Sequence, residues 1–431
     1  MLSPGERSLA AREPRLPGFG LLLDPAAFLE ALREALPACD VASAHLEYLR
    51  YKPGTNLLAG YQARIGGRPV ALHAKTYAAA EAGKVARELR RAGVPGPLGR
   101  ATVPLPDGLG VVRAFPNDAN LPGLRVLAEA VAHGETVAQL GLGVGELSAL
   151  RYKPERRWVG RFDPAGSGRS VVLKAHTALR YTRAAQGAGA FREGRVLRLA
   201  PAGPAIPELH VLTAGWLPGS LLDSELVTGR ATPAMLALAG TALAELHAQP
   251  VDGLAFRSRA SEAASLVELA ASMSWLLPEL APRLSTFVHR VASALTEAPP
   301  LSRPVHGDCY AKQMLVDGPH LGLLDLDQAA AGDPAQDLGL FVAHLERDVL
   351  RGRIEGHRLL PLREAFFDGY RAEAGALPER VGLYTIASLL RLLPDPFRHR
   401  EPAWERGTEA LLARAEQLAA ELPAGHAEVC A

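Results

Sequence analysis

The chain has 431 residues, with 47 Lys and Arg against 46 Asp and Glu and a formal net charge of +1. That length exceeds one ordinary hydrophobic core, so two or three folding units are expected, and so even a charge leaves no global field to attract nucleic acid or an anionic membrane. The three cysteines, Cys39, Cys309 and Cys430, are too few and too scattered for a zinc ribbon or a disulfide framework.

The longest apolar runs, such as Leu21 to Leu23 and Leu338 to Val342, fall far short of the roughly 20 residues a membrane span needs. No basic-then-apolar leader opens the chain, so a cytoplasmic location is expected. In chain order, the first signal is a repeat. Leu49-Arg50-Tyr51-Lys52-Pro53 recurs as Leu150-Arg151-Tyr152-Lys153-Pro154, and the same offset pairs Gly67-Arg68 with Gly168-Arg169, Val70 with Val171, Leu72 with Leu173, Ala74 with Ala175 and Thr76 with Thr177. Each copy reads as strand, turn, strand, turn, strand, with a Gly-rich break at Gly66-Gly67 or Gly166-Ser167-Gly168. A helical stretch follows each copy, Ala78 to Arg91 or Arg183 to Leu199, and then a further apolar segment, Gly110 to Pro116 or His210 to Pro218. From Pro233 onward the spacing becomes helical, over Pro233 to His247, Ser261 to Leu277 and Arg283 to Thr296, before Pro299-Pro300 breaks it. His247 reads as a packed helix-end residue.

Three segments then carry chemistry: His306-Gly307-Asp308-Cys309-Tyr310-Ala311-Lys312-Gln313, Leu323-Leu324-Asp325-Leu326-Asp327 and Gly332-Asp333-Pro334-Ala335-Gln336-Asp337-Leu338. An aspartate able to orient a hydroxyl, an amide five residues on and an aspartate ending an apolar strand are the parts phosphoryl transfer requires. Its loose transition state spreads charge over phosphoryl oxygens, so the protein must chiefly position the nucleophile and Mg²⁺. Carboxylate and amide oxygens suit that hard cation. Taken singly the tripeptides read as turns, and Asp333 and Asp337 as caps of a helix beginning near Pro334.

Taken together, their order and spacing resemble the aminoglycoside phosphotransferase and choline kinase family: His-Gly-Asp, Asn five residues after that Asp, Leu-Asp, then Gly-Asp-Pro-x-x-Asp-Leu. One element departs, Gln313 standing where the family has Asn. The resemblance covers about residues 145–420, and the first copy only through the repeat. It implies an α+β, protein-kinase-like bilobal fold: a mixed small lobe with an antiparallel sheet and a mostly helical large lobe, preceded by a second small-lobe-like unit. The expected divisions are 1–135 for a degenerate small-lobe-like repeat, 136–222 for a nucleotide-binding small lobe and 223–431 for the large lobe with the catalytic loop.

The resemblance also implies roles. Asp308 would orient or deprotonate the acceptor hydroxyl, Asp325 and Gln313 hold Mg²⁺, and His306 and Asp337 support the loops. Val171-Val172-Leu173-Lys174 is a short strand ending in the lysine expected on nucleotide phosphates, although strand lysines by themselves read as solvated edge charges. The aligned residue in the first copy is His73, and Lys75, on the same strand face, leaves the first copy open as an alternative. Glu193, on the helix expected after Lys174, would be the lysine's partner, or else an ordinary surface ion pair with Arg192 or Arg195. The turn Glu155-Arg156-Arg157 has no glycine for a backbone cradle; Arg156 or Arg157 either meets phosphate or is simply solvated. Gly215, Trp216 and Leu217 resemble the linker that receives adenine, with Trp216 equally readable as core. Glu346 and Asp348 read as a receptor for a cationic acceptor or as a solvated helix face, and Cys309 as a packing residue.

The expected function is an ATP- and Mg²⁺-dependent kinase of a small molecule bearing a hydroxyl group. Its partners would be nucleotide and acceptor, with neither nucleic acid nor membrane. The alternative is a catalytically weak or inactive kinase-like protein that binds nucleotide and acts through an interaction surface. A structural α/β protein without nucleotide or metal would make all the motif spacings accidental.

Overall fold

The computed structural model describes residues 2–81, 83–132, 140–166, 168–297 and 301–422. Ser167, the Pro299-Pro300 break, Cys430 and the expected division after residue 135 lie outside them. The chain forms two compact units: Met1–Ala178 with Pro204–Thr213 and Asp395–Glu405, and Leu179–Gly203 with Ala214–Pro394 and Arg406–Ala431. Among the described residues no helix is long and apolar enough to cross a membrane.

The first unit opens with helices α1 (Pro4–Arg12), α2 (Phe19–Leu23) and α3 (Pro25–Ala35). Ser3 and Glu6 form a reciprocal capping box on α1, and Asp24 caps α3 ahead of a proline at its first position. Then come β1 (Val41–Lys52), β2 (Asn56–Ile65), β3 (Arg68–Tyr77), α4 (Gly83–Leu89), β4 (Val103–Pro104), β5 (Val111–Ala114) and α5 (Gly123–Ala132). The second group of strands is β6 (Gly145–Lys153), β7 (Arg157–Pro164) and β8 (Val171–His176); α6 (Ala178–Ala188) and β9 (Leu197–Leu199), which fall in the second unit, come next in the chain, and then β10 (Ala202–Ile206) and β11 (Val211–Gly215). The strand order is β1-β2-β3-β5-β4 in one sheet and β6-β7-β8-β11-β10 in the other.

Each sheet carries an apolar face, and β2, an interior strand of the first, is buried from Leu57 to Tyr61. In the first, Leu57, Ala59 and Tyr61 are buried; Tyr61 stacks on Phe28 of α3 with ring centroids 3.8 Å apart and donates to the Leu22 carbonyl at 2.8 Å. In the second, Trp158, Leu173 and Ala175 pack with Leu124 and Leu127 of α5. Val159 pairs with Lys174 across β7 and β8, so the lysine stands on the opposite, half-open face.

The helix after β8 is shorter and earlier than the sequence spacing predicts. It ends at Ala188, between Gly187 and Gly189, residues of low helix propensity, and leaves Glu193 in the following loop.

The second unit adds β12 (Ser220–Leu221), α7 (Leu222–Val227), α8 (Pro233–His247), α9 (Arg259–Leu276) and α10 (Ala281–Thr296). It continues with β13 (Arg303–Val305), β14 (Met314–Asp317), β15 (His320–Leu323), β16 (Ala330–Gly332), α11 (Ala335–Leu350), α12 (Gly356–Ala374) and α13 (Val381–Leu392). The short α14 (Asp395–Arg398) falls in the first unit, and α15 (Trp404–Ala420) is the last element among the described residues. Helix α8 matches the span expected from periodicity, and Thr232 caps it by accepting from the Met235 N–H.

Helices α8 and α12 meet backbone to backbone. A Cβ on Gly240 would collide with the Phe366 carbonyl and one on Gly369 with the Ala237 carbonyl, while the Thr241 hydroxyl donates to the Gly369 carbonyl at 3.1 Å. This close approach sets the spacing between His247, at the end of α8, and Tyr370 on α12. Gly240→Val should therefore cost about 1–3 kcal/mol through overpacking. Urea denaturation followed by the circular dichroism of the helices should show an earlier transition; an unchanged midpoint would mean that the helices separate freely.

Candidate active site

The ribbon β13–β16, with Val305 opposite Ala330, delivers two loops side by side: His306 to Tyr310 leaves β13, and Asp333 follows β16. Gly307 adopts φ +78, and a Cβ there would collide with the Gln328 carbonyl, so only glycine fits. The next residue is Asp308.

Asp337, in the first turn of α11, is fully buried, yet it does not cap its own helix. Its carboxylate accepts from the His306 N–H at 2.6 Å, from the Gly307 N–H at 2.8 Å and from His247 Nε2 at 3.1 Å. The other ring nitrogen of His247 meets the Tyr370 hydroxyl at 3.0 Å. Burial alone would raise the Asp337 pKa, but the His247 hydrogen bond and charge and the Gly307 N–H hold it below the ordinary value. The capping role belongs to Asp333, which accepts from the Ala335 N–H at 3.0 Å and from Arg259 at 2.6 Å.

His306 ties this loop to the next one. Its Nε2 lies 2.7 Å from the Leu324 carbonyl and its Nδ1 3.3 Å from the Asp308 N–H. A carbonyl only accepts and an amide N–H only donates, so Nε2 carries the proton and Nδ1 the lone pair. Arg257 bridges the same loops, donating to the carbonyls of Gly307 at 3.3 Å and Gln328 at 3.0 Å. No sequence signal marked Arg257; it lies in the irregular segment before α9. His247 likewise read as packing until its bond to Asp337 was in view.

The β14–β15 hairpin, closed by Met314 opposite Leu323 and by the Leu324 N–H on the Gln313 carbonyl at 2.8 Å, sets Gln313 beside Asp325. Asp325 leaves the strand at φ +63, a left-handed turn that Asp tolerates better than most residues. Gln313 Nε2 lies 3.5 Å from Asp325 Oδ2. An amide beside a carboxylate is an oxygen-donor pair that fits Mg²⁺, which takes one or two protein ligands and keeps several waters; ligation would require the Gln313 amide to present its oxygen instead. Among the described residues no group of three or more His, Cys, Asp or Glu is placed to hold a metal.

Other expected residues fare unevenly. Glu193 is not on a helix; its carboxylate accepts from the Leu199 N–H at 3.2 Å, and α6 itself contains no acidic residue. Instead α6 packs Gly187 against the Leu326 backbone and sends Arg183 to Gln328 Oε1 at 3.3 Å. The Gly215 N–H donates to the Pro201 carbonyl at 2.9 Å, Leu217 lies beside Gly322, and Trp216 is 40 % exposed and so is not core. Glu346 and Asp348 form no solvated face and no open receptor: both are buried, Glu346 on Arg414 at 2.9 and 3.0 Å and Asp348 on Arg347 and Arg353. Cys309 is fully buried, which pushes its thiol pKa well up and leaves it a packing residue. On the first sheet, the residues aligned with the Lys174 face are covered: His73 is buried, and Lys75 is bonded to Glu155.

The model of the phosphotransferase enzyme family (APH) matches residues 136–384. The chain belongs to this family. The activity class of the family is phosphoryl transfer. Similar solved structures include a choline/ethanolamine kinase family protein from Mesorhizobium loti, 18 % identical, covering 70 % of this chain and 97 % of that one with a TM-score of 0.49. A thermostable mutant of aminoglycoside phosphotransferase APH(4)-Ia, in a ternary complex with ADP and hygromycin B, is 15 % identical over 65 % of this chain and 95 % of that one, with a TM-score of 0.47. Macrolide 2'-phosphotransferase MphH from Brachybacterium faecium is 20 % identical over 69 % and 98 %, with a TM-score of 0.42. No curated protein matches the chain by sequence.

Within this phosphotransferase the Asp337 node makes a pH-dependent prediction. A depressed carboxylate pKa contributes stability that is complete above the unfolded value of about 3.9 and is lost as pH falls through the folded value. Asp337→Asn should cost about 2–4 kcal/mol at pH 7 by leaving buried N–H groups poorly paired. Urea titrations should find the gap between wild type and variant narrowing below about pH 4; a gap constant with pH would remove the carboxylate from this role.

Proposed function

We propose that the chain is an ATP- and Mg²⁺-dependent kinase that phosphorylates a hydroxyl group of a small molecule. The observation that supports this most strongly is the bonded frame around the two loops: Asp337 holds His306 and Gly307, and His306 holds Leu324, so Asp308 and Asp325 extend from one rigid support. In this reading Asp308 accepts the proton of the acceptor hydroxyl, and His306 fixes the Asp308 backbone. Asp325 and Gln313 hold Mg²⁺, whose chemistry when bound is to neutralise charge on the phosphate oxygens. Lys174 takes nucleotide phosphate, and the 215–217 segment receives the base. The division into 1–135, 136–222 and 223–431 and a cytoplasmic location belong to the same reading. So does the view of the first sheet as a duplicated small lobe, for which the matching strand orders speak. With Glu346 and Asp348 already paired, no cationic acceptor need be invoked for them; a panel of hydroxylated metabolites, aminoglycosides and macrolides assayed for ATP consumption would find the acceptor.

A second reading, a weak or inactive nucleotide-binding protein, is favoured by two observations: the Gln313 amide nitrogen faces Asp325, and α6 offers no carboxylate to a lysine. The acceptor panel and three sets of variants decide between the readings. Asp308→Ala should lower turnover by roughly 10²–10⁴-fold while sparing nucleotide affinity, whereas Asp325→Ala should weaken Mg²⁺-nucleotide binding itself; full turnover by Asp308→Ala would remove the assignment. Gln313→Ala should raise the Mg²⁺ requirement if the amide is a working ligand. If the longer side chain is instead disabling, Gln313→Asn should increase transfer. Lys174→Ala should weaken MgATP binding about a hundredfold, on the scale of a charged hydrogen bond, and far more than Lys75→Ala; equal losses would mean that the second sheet is the wrong choice or that both sheets bind nucleotide.

A further inference from the structure

The β6–β7 turn runs Lys153-Pro154-Glu155-Arg156-Arg157 and contains one acidic residue. That residue is drawn to the first sheet. The Lys75 ammonium donates to both Glu155 carboxylate oxygens, at 2.7 and 2.8 Å, and Arg50 pairs with the same carboxylate. The Glu155 backbone N–H donates to Asp118 Oδ2 at 2.7 Å, and that oxygen also accepts from the Tyr152 hydroxyl at 3.0 Å. The Tyr152 hydroxyl lies 3.3 Å from Nδ1 of the buried His73. With the Glu155 side chain 14 % exposed and that of Lys75 16 %, these pairs are shielded from water and worth more than surface ion pairs. They also hold Glu155 at φ +56, a conformation costly for a residue with a side chain.

The other face of the same hairpin carries the opposite charge. Lys153 pairs with Arg157, Arg157 with His176 and Val159 with Lys174, so Lys153, Arg157 and Lys174 share the face turned away from buried Trp158 and Leu173. A turn without glycine cannot bring its backbone against a polyanion, but cations flanking it can meet one. A free Glu155 at its tip would oppose that attraction.

We propose that Glu155 is a positioning residue for the nucleotide phosphates. By gripping it through Lys75 and Arg50, the first sheet fixes the β6–β7 turn and removes the turn's only carboxylate from the cationic face. The first sheet's own cations thus bind an internal carboxylate in place of a ligand. This inference rests on the phosphotransferase reading and gives the first sheet a task within it.

Calorimetric titration of the full chain with MgADP and with adenosine tests both. Glu155→Gln and Lys75→Met should each weaken MgADP about fivefold, leave adenosine affinity unchanged, and weaken it no further when combined, because they break one shared interaction. Arg50→Gln, which spares the lysine, should show a smaller loss of the same kind. Equal losses for MgADP and adenosine would reduce the contact to general support of the fold and overturn the proposal, as would additive effects or wild-type MgADP affinity in Glu155→Gln. Failure of the wild-type chain to bind MgADP would instead overturn the nucleotide reading itself, and the inference with it.

Discussion

A single buried carboxylate organises the loop that bears Asp308. A main-chain segment that leaves a two-stranded ribbon has N–H groups with no sheet partner, and two of them, on His306 and Gly307, lie where water cannot reach freely. Asp337 satisfies both and is itself paid for by His247, which Tyr370 steadies from a third helix. Remove the carboxylate and two donors and a histidine lose their partner together. The glycine contact between α8 and α12 belongs to the same construction, because the histidine and the tyrosine can share a proton only while those helices touch through their backbones.

From this anchor the order spreads to the second loop. His306 reaches the Leu324 carbonyl and Arg257 spans the carbonyls of Gly307 and Gln328, so the segments bearing Asp308 and Asp325 are fixed to one another by bonds from these two side chains. Such preorganisation is what phosphoryl transfer asks of a protein that supplies position and charge more than covalent chemistry. It also explains why His306 is held in one tautomer: a ring that donates to one loop and accepts from the other has no freedom left for proton transfer.

The first unit follows a different logic, based on charge. Two sheets of the same strand order lie in one unit, and the face of the first that matches the Lys174 face of the second is filled by the second sheet's own hairpin turn. Lys75 and Arg50 are compensated within the chain, which burial demands. Lys153, Arg157 and Lys174 are gathered on the other side of that hairpin by strand register alone.

Much of this was legible in the sequence, for reasons of period and spacing. The repeat foretold two similar strand groups, helical periodicity located α8 to within its caps, and the three motif segments fall within the stretch that the family model matches. These are local properties, readable because strand alternation, helix spacing and turn chemistry act over a few residues. What failed was local too: glycines at 187 and 189 stopped a helix that apolar spacing extended, and Glu193 fell into a loop. Tertiary structure alone decided which polar residues would be partners. Asp337 and Asp333 look alike as helix caps, but only one caps; Glu346 reads as solvated, but Arg414, distant in sequence, pairs with it; Glu155 lies in a turn without glycine, but Lys75, 80 positions earlier, claims it. The physical reason is that a buried charge is stable only beside its partner, and the chain brings such partners together through packing between elements that no short stretch of sequence encodes.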